Sequence, residues 1–212
     1  PTVLEQLAEK AGVKLTPRTG ARVATPVQKE HDERLHEVCE AATAFFEQKL
    51  KERKDVQEYL KTRGVHDETV STWRLGYAPA EWENLSKHLL SIGFKKEDIV
   101  DAGFSIKSER KPGEIFDRFR GRIMFPIFDL SGKPIAVSGR FFEKVPGQKE
   151  DGSEPAKYVN SPETVLFKKS RVLYGLTQAR AHIRKLDCIL LVEGQFDLIL
   201  AHQSGLSFAV AL

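Results

Sequence analysis

The run Cys188-Ile-Leu-Leu-Val192, followed at once by Glu193-Gly194, constrains the fold more than any other stretch of this chain. A continuous apolar run bounded by a turn reads as a strand buried on both faces of a parallel sheet. Phe196 to Gln203, stopped by Gly205, reads as the following helix, and Phe208-Ala-Val-Ala-Leu212 as the next strand. The sequence thus ends inside a β-α-β unit. In open parallel sheets ligands bind outside the carboxyl ends of the strands, which is where Glu193 falls. Gly194 is expected to permit the sharp turn. Asp197 suits the helix start, where exposed amides favour a carboxylate. Spacing alone leaves Glu193 open between a helix-end acid and an active-site acid.

Upstream the periodicity differs. Leu35, Val38, Cys39, Ala42, Phe45, Phe46 and Leu50 recur at three and four, the pattern of a helix with one buried face, with Cys39 in the core. Asp55 and Glu58 have the spacing of a capping box for a second helix that stops at Gly64. Short helices are expected over about 67–73, 84–91 and 95–101, the last two ended by Gly93 and Gly103. Arg122–Phe128 and Pro134–Phe142 are β-rich runs around Asp129-Leu-Ser-Gly-Lys133, which reads as an antiparallel hairpin. Residues 145–156 read as an exposed polar loop and Leu176–Lys185 as a helix. Residues 1–26 mix a short helical pattern with Gly12, Pro17 and Gly20, as in a helix tail followed by a linker. The class is α+β, with a β-α-β unit at the end.

Composition narrows the function classes. The 212 residues are 41% hydrophobic and 30% charged, a globular balance. No apolar run approaches the roughly 18 residues that span a bilayer, and the first residues lack the basic and apolar regions of a secretory signal. Cys39 and Cys188 are too few for a disulfide framework or a thiolate zinc site, which favours a reducing, cytoplasmic setting. The scattered histidines lack metal-ligand spacing. A net charge of +3 says little, but its distribution says more. Between Glu163 and Asp187 stand six basic residues and no acid, and from Lys107 to Arg122 six basic residues face three acids. Such asymmetry points to an anionic partner on one side.

Several motifs in one order are more specific than any of these patterns. LVEGQFDLI resembles the first signature of the TOPRIM domain. DRFRGRIMFPIFD, GKPIAVSGR and AKYVNSPETVLFKKSRVLYGL resemble, in order and spacing, the catalytic core of bacterial replicative primases of the DnaG type. TVLEQLAEKAGVKL resembles the segment that joins such a core to its zinc-binding domain. The resemblance implies three parts: residues 1–26 as a linker after an absent zinc-binding domain, residues 27–168 as the N-terminal primase core subdomain, and residues 169–212 as the start of an incomplete TOPRIM domain.

The implied activity is synthesis of short RNA primers on a single-stranded DNA template from ribonucleoside triphosphates, in the cytoplasm at the replication fork. Glu193 matches the family's TOPRIM glutamate and would help hold Mg²⁺, or Mn²⁺, in two-metal nucleotidyl transfer. Zinc would belong only to the absent N-terminal domain, and contacts with the replicative helicase to an absent C-terminal domain. Arg118, Arg120, Lys157, Asn160 and Lys169 match nucleotide-side positions. Arg63 and Arg140 match positions that hold template, and Tyr158 is the favoured base-stacking aromatic. Further acids of the family's metal site would lie past Leu212, so the chain alone is expected to be inactive. Two alternatives stand beside this reading: a non-catalytic module that binds single-stranded nucleic acid, and a TOPRIM protein that is not a primase, against which the N-terminal motifs argue.

Overall fold

Thr25-Pro26-Val27-Gln28 opens the first helix, α1 (Pro26–Glu52), with a reciprocal capping box. The Gln28 amide donates to Thr25 Oγ1 at 3.3 Å and the Thr25 amide to Gln28 Oε1 at 2.9 Å, while Pro26 occupies the first helical position. The apolar spacing, which starts at Leu35, does not reveal this earlier start. The computed structural model describes residues 25–109, 111–146 and 155–212. The helix and linker expected before residue 25, and most of the loop expected over 145–156, lie outside the described residues. The chain divides into two units, residues 1–31 and 32–212, and the architecture below is that of the second.

The apolar face of α1 is buried as its spacing requires, from Leu35 to Leu50. Cys39 is sealed within it, and burial pushes its thiol up to about 12, far from a reactive thiolate. The second helix, α2 (Lys54–Thr62), starts differently from expectation: its cap is Arg53, and no side chain caps it. Asp55 instead accepts from Arg53 Nε at 2.9 Å and Nη2 at 2.7 Å, because a charge-assisted fork outcompetes a neutral backbone amide. The other edge of the same guanidinium donates to both oxygens of Glu143, at 2.8 and 3.0 Å, and to the Tyr77 hydroxyl at 2.7 Å.

One arginine thus joins two helices to the central sheet. Its hydrogen bonds hold the Glu143 carboxyl below the usual carboxylate range, so this stabilisation is present above the usual pKa and is lost as pH falls through the depressed one. Arg53→Met is expected to cost about 1–3 kcal/mol at neutral pH and less in acid, measured by urea unfolding at several pH values. An equal loss at every pH would show that the charge pairing is not what stabilises.

After α3 (Asp67–Thr72) come β1 (Gly76–Ala78), α4 (Asn84–Ser91) and α5 (Lys96–Asp101), close to the expected helix bounds. A short hairpin, β2 (Ser105–Lys107) and β3 (Ile115–Asp117), leads to β4 (Arg122–Phe128) and β5 (Pro134–Phe141). These two form the expected antiparallel pair. Their connection is closed by Asp129, whose Oδ1 accepts from the Ser131 and Lys133 amides at 2.8 and 2.9 Å. With β6 (Tyr158–Asn160) they make an antiparallel sheet in the order β1-β4-β5-β6. Gly76 on β1 is dictated by packing, since a Cβ there would lie 2.4 Å from Phe46 Cβ on α1.

The alternation along β4 separates two cores. Ile123, Phe125 and Ile127 join one, with Leu60, Trp73 and Tyr77; Met124 joins the other, with Phe46, Leu89, Phe104 and Phe119. Helix α6 (Leu176–Leu186), β7 (Leu190–Val192), α7 (Gln195–Gln203) and β8 (Ala209–Ala211) complete the chain. Strands β7 and β8 pair in parallel around α7, as the β-α-β reading requires. Helix α7 buries Phe196, Leu198 and Ile199 in the first core, which therefore runs without a break from the helical half into the β-α-β unit. Burial of β7 on both faces is not observed. Cys188 is exposed, and Ile189 and Leu191 are 51% and 53% exposed, so the strand is covered on the α7 side alone.

Candidate functional site

Glu193 stands directly after β7 and before α7, at the carboxyl end of a parallel strand as expected, and its side chain is exposed. The role expected of Gly194 is corrected by its backbone, which is extended at φ −132°, a conformation open to any residue. The glycine leaves room: a Cβ there would lie 2.9 Å from Asp197 Oδ2. Asp197 occupies the first turn of α7, where the helix dipole favours it.

The residues matched to template binding come together. Arg140 on β5 and Tyr158 on β6 are cross-strand partners on the sheet face that meets α7. Arg140 Nη1 donates to the Tyr158 hydroxyl at 3.1 Å, and Nη2 to the Tyr59 hydroxyl of α2 at 2.9 Å. Its guanidinium also lies 5.0 Å from the ring centre of Phe196. Arg63, at the end of α2, approaches the same ring at 5.3 Å. Residues more than seventy positions apart thus converge on one aromatic, two residues past the Glu193-Gly194 turn.

The nucleotide-side matches fall in three places. Asn160 and Lys169 line one cleft of about 690 Å³, together with Gln195 at the start of α7 and Arg171. Lys157 is exposed just before β6, its carbonyl accepting from the Phe141 amide at 2.8 Å. Arg118 and Arg120 flank the buried Phe119 in the turn before β4. The Arg120 guanidinium stacks 4.1 Å from the Trp82 ring centre, and its Nη1 donates to the Asp117 carbonyl. Arg122 pairs with Phe141, on the sheet face opposite Arg140.

Direct ion pairs are missing at these arginines, although the Asp117 carboxylate attracts Arg120 from nearby. Among the described residues, none of Arg63, Arg118, Arg120, Arg122 and Arg140 forms an ion pair with a carboxylate, whereas Arg53 and Arg74 each engage two. The Nε groups of Arg118, Arg120 and Arg140 are buried and have no hydrogen-bond partner among the described residues. Burial lowers the pKa of Arg118, Arg120 and Arg122, and the charge of Arg120 lowers that of Arg122 further. A partly buried guanidinium without a direct ion pair favours an anion, and its fork of donors suits phosphate oxygens.

Metal chemistry is less complete. Among the described residues no group of three carboxylate, histidine or cysteine side chains comes together. Glu193 fits as one carboxylate of a divalent-cation site, and the described residues do not fit as the whole site.

Residues 45–180 match the family described as DNA primase catalytic core, N-terminal domain. The chain belongs to this family. A DNA primase of Pseudomonas putida is 41% identical across 100% of the chain, which spans 31% of that protein. The RNA polymerase domain of Mycobacterium tuberculosis primase DnaG was solved with a double-stranded DNA oligomer bearing a 6-nucleotide overhang. It is 33% identical with a TM-score of 0.76, over 84% of this chain and 54% of that one. A DnaG primase catalytic domain bound to single-stranded DNA is 31% identical with a TM-score of 0.71, over 86% and 54% of the two chains. The mixed helical and antiparallel fold is thus that of primase catalytic cores.

Two contributors to this primase core escape a reading of single residues. Tyr59 reads only as an apolar position of α2, and nothing in the sequence pattern singles out Trp82. Tyr59 meets Arg140 from a helix outside the sheet and Trp82 stacks on Arg120, and neither contact leaves a periodic signal in sequence.

Proposed function

We propose that this chain is the template- and nucleotide-binding part of a DNA primase, which makes short RNA primers on single-stranded DNA. The carrying observation is that, among the described residues, the partly buried Arg118, Arg120, Arg122 and Arg140 form no ion pair with a carboxylate, whereas Arg53 and Arg74 each form two. Arg63 and Arg140 hold template phosphates and Tyr158 flanks them. Arg118, Arg120, Lys157, Asn160 and Lys169 bind the incoming nucleotide, whose triphosphate supplies the missing negative charge. Residues 169–212 are the start of a TOPRIM domain, with Glu193 one ligand of its Mg²⁺ or Mn²⁺; when bound, the metal neutralises triphosphate charge. The DNA-bound relatives support the template assignment.

Titration of a labelled oligodeoxynucleotide at several salt concentrations tests this reading. Arg63→Ala and Arg140→Ala are each expected to weaken binding and to reduce the salt slope by about 0.7, the counterion release of one phosphate contact on a single strand. Unchanged slopes for both would remove these residues from the template path. Binding that survives where primer synthesis by the whole protein is never detected would favour the non-catalytic binding module.

A further inference from the structure

Arg140 is held in an unusual way for a partly buried cation. Among the described residues its hydrogen-bonding partners are two hydroxyls, those of Tyr59 and Tyr158, and not carboxylates. Three rings surround the guanidinium, with centres at 5.9 Å for Tyr59, 5.5 Å for Tyr158 and 5.0 Å for Phe196. A carboxylate in either position would fix the side chain equally well and would cancel its charge. Tyrosine hydroxyls fix the direction and leave the charge intact. Burial works against the charged form here and the contacts with the two tyrosines outweigh it; an arginine guanidinium stays ionised in either case.

Tyr59 is the member of this pair that comes from outside the sheet. It lies on α2, one turn before Arg63, so the same helix carries one template arginine and orients the other. Its ring packs edge-on against Phe142 and Phe196, with centres at 5.6 and 6.5 Å, which restricts the direction in which the hydroxyl points. We propose that Tyr59 is a positioning residue for template recognition: its hydroxyl aims the uncompensated guanidinium of Arg140 at a phosphate of single-stranded DNA. This rests on Arg140 being a template contact. The advantage is one of pre-organisation, because a long side chain already held in its binding geometry loses less freedom when the strand arrives.

A double-mutant cycle in the protein tests the proposal, with affinity for a labelled single-stranded oligodeoxynucleotide as readout. Tyr59→Phe keeps the ring and removes only the hydroxyl. It is expected to weaken binding about three- to tenfold, with the melting temperature unchanged and the salt slope reduced less than in Arg140→Ala. In the Arg140→Ala background the same change is expected to have no further effect, since there is no guanidinium left to aim. A Tyr59→Phe effect that persists in that background, or no effect in the native one, overturns the positioning role. If Arg140→Ala itself binds like the native protein, the failure lies instead in the assignment of Arg140 to template, and the positioning role falls with it.

Discussion

Glu193→Gln is expected to lower primer synthesis by the whole protein on the order of 100-fold or more, with template affinity at or slightly above the native value. The substitution keeps the shape and polarity of an exposed side chain that no described structural contact depends on, so the fold is not at stake. It removes a negative charge from the carboxyl end of β7, and such a loss does not weaken attraction to a phosphate backbone. Primer synthesis and oligonucleotide binding measured on one preparation separate the two roles. Synthesis at the native rate would take Glu193 out of catalysis. The 212-residue chain by itself is expected to bind DNA and not to polymerise, because Glu193 alone cannot hold the ions that nucleotidyl transfer requires.

The largest expected effect on stability comes from Asp117. This buried carboxylate on β3 accepts from the amides of Leu85 and Ser86 at 2.7 and 2.8 Å and from the Ser86 hydroxyl. It caps α4 from across the fold, where the side chain of the local cap residue Glu83 makes no capping bond. Asp117→Ala strands these donors in a buried site and is expected to cost about 3–5 kcal/mol in urea unfolding, with Asp117→Asn costing about 1–2 because an amide oxygen can still accept. A loss within about 0.5 kcal/mol, the range of ordinary surface substitutions, would show that the capping contacts contribute little.

The pH dependence of Asp117 has the opposite sign to that of Glu143. Burial raises the Asp117 pKa, with the hydrogen bonds only partly offsetting it, so the folded state binds its proton more tightly than the unfolded chain does. Its contribution declines as pH rises from the usual carboxylate value through the raised one, and is level above that. The Asp117 carbonyl also accepts from Arg120, so the residue that caps α4 steadies that arginine as well.

Much of this architecture is legible in local pattern. The three-and-four spacing from Leu35 to Leu50 defines the buried face of α1, because a helix presents the same side every turn. The Ser-Gly turn between two β-rich runs defines the β4–β5 hairpin, and the switch to a continuous apolar run followed by a helix defines the parallel β7–β8 pair. The ordered motifs then named the primase family.

What tertiary structure alone decided concerns partners distant in sequence. The Asp55–Glu58 spacing promises a cap for α2, yet Arg53 takes Asp55, since the guanidinium also binds Glu143 from ninety residues away. An apolar run cannot report how many faces of its strand are covered, because that depends on which layers pack there, and β7 is covered on one side only. Nor can the sequence tell a paired arginine from an unpaired one. Arg53, Arg74, Arg118 and Arg140 are chemically identical in the chain, and only the three-dimensional neighbourhood gives the first two a pair of carboxylates each and leaves the last two, among the described residues, without one.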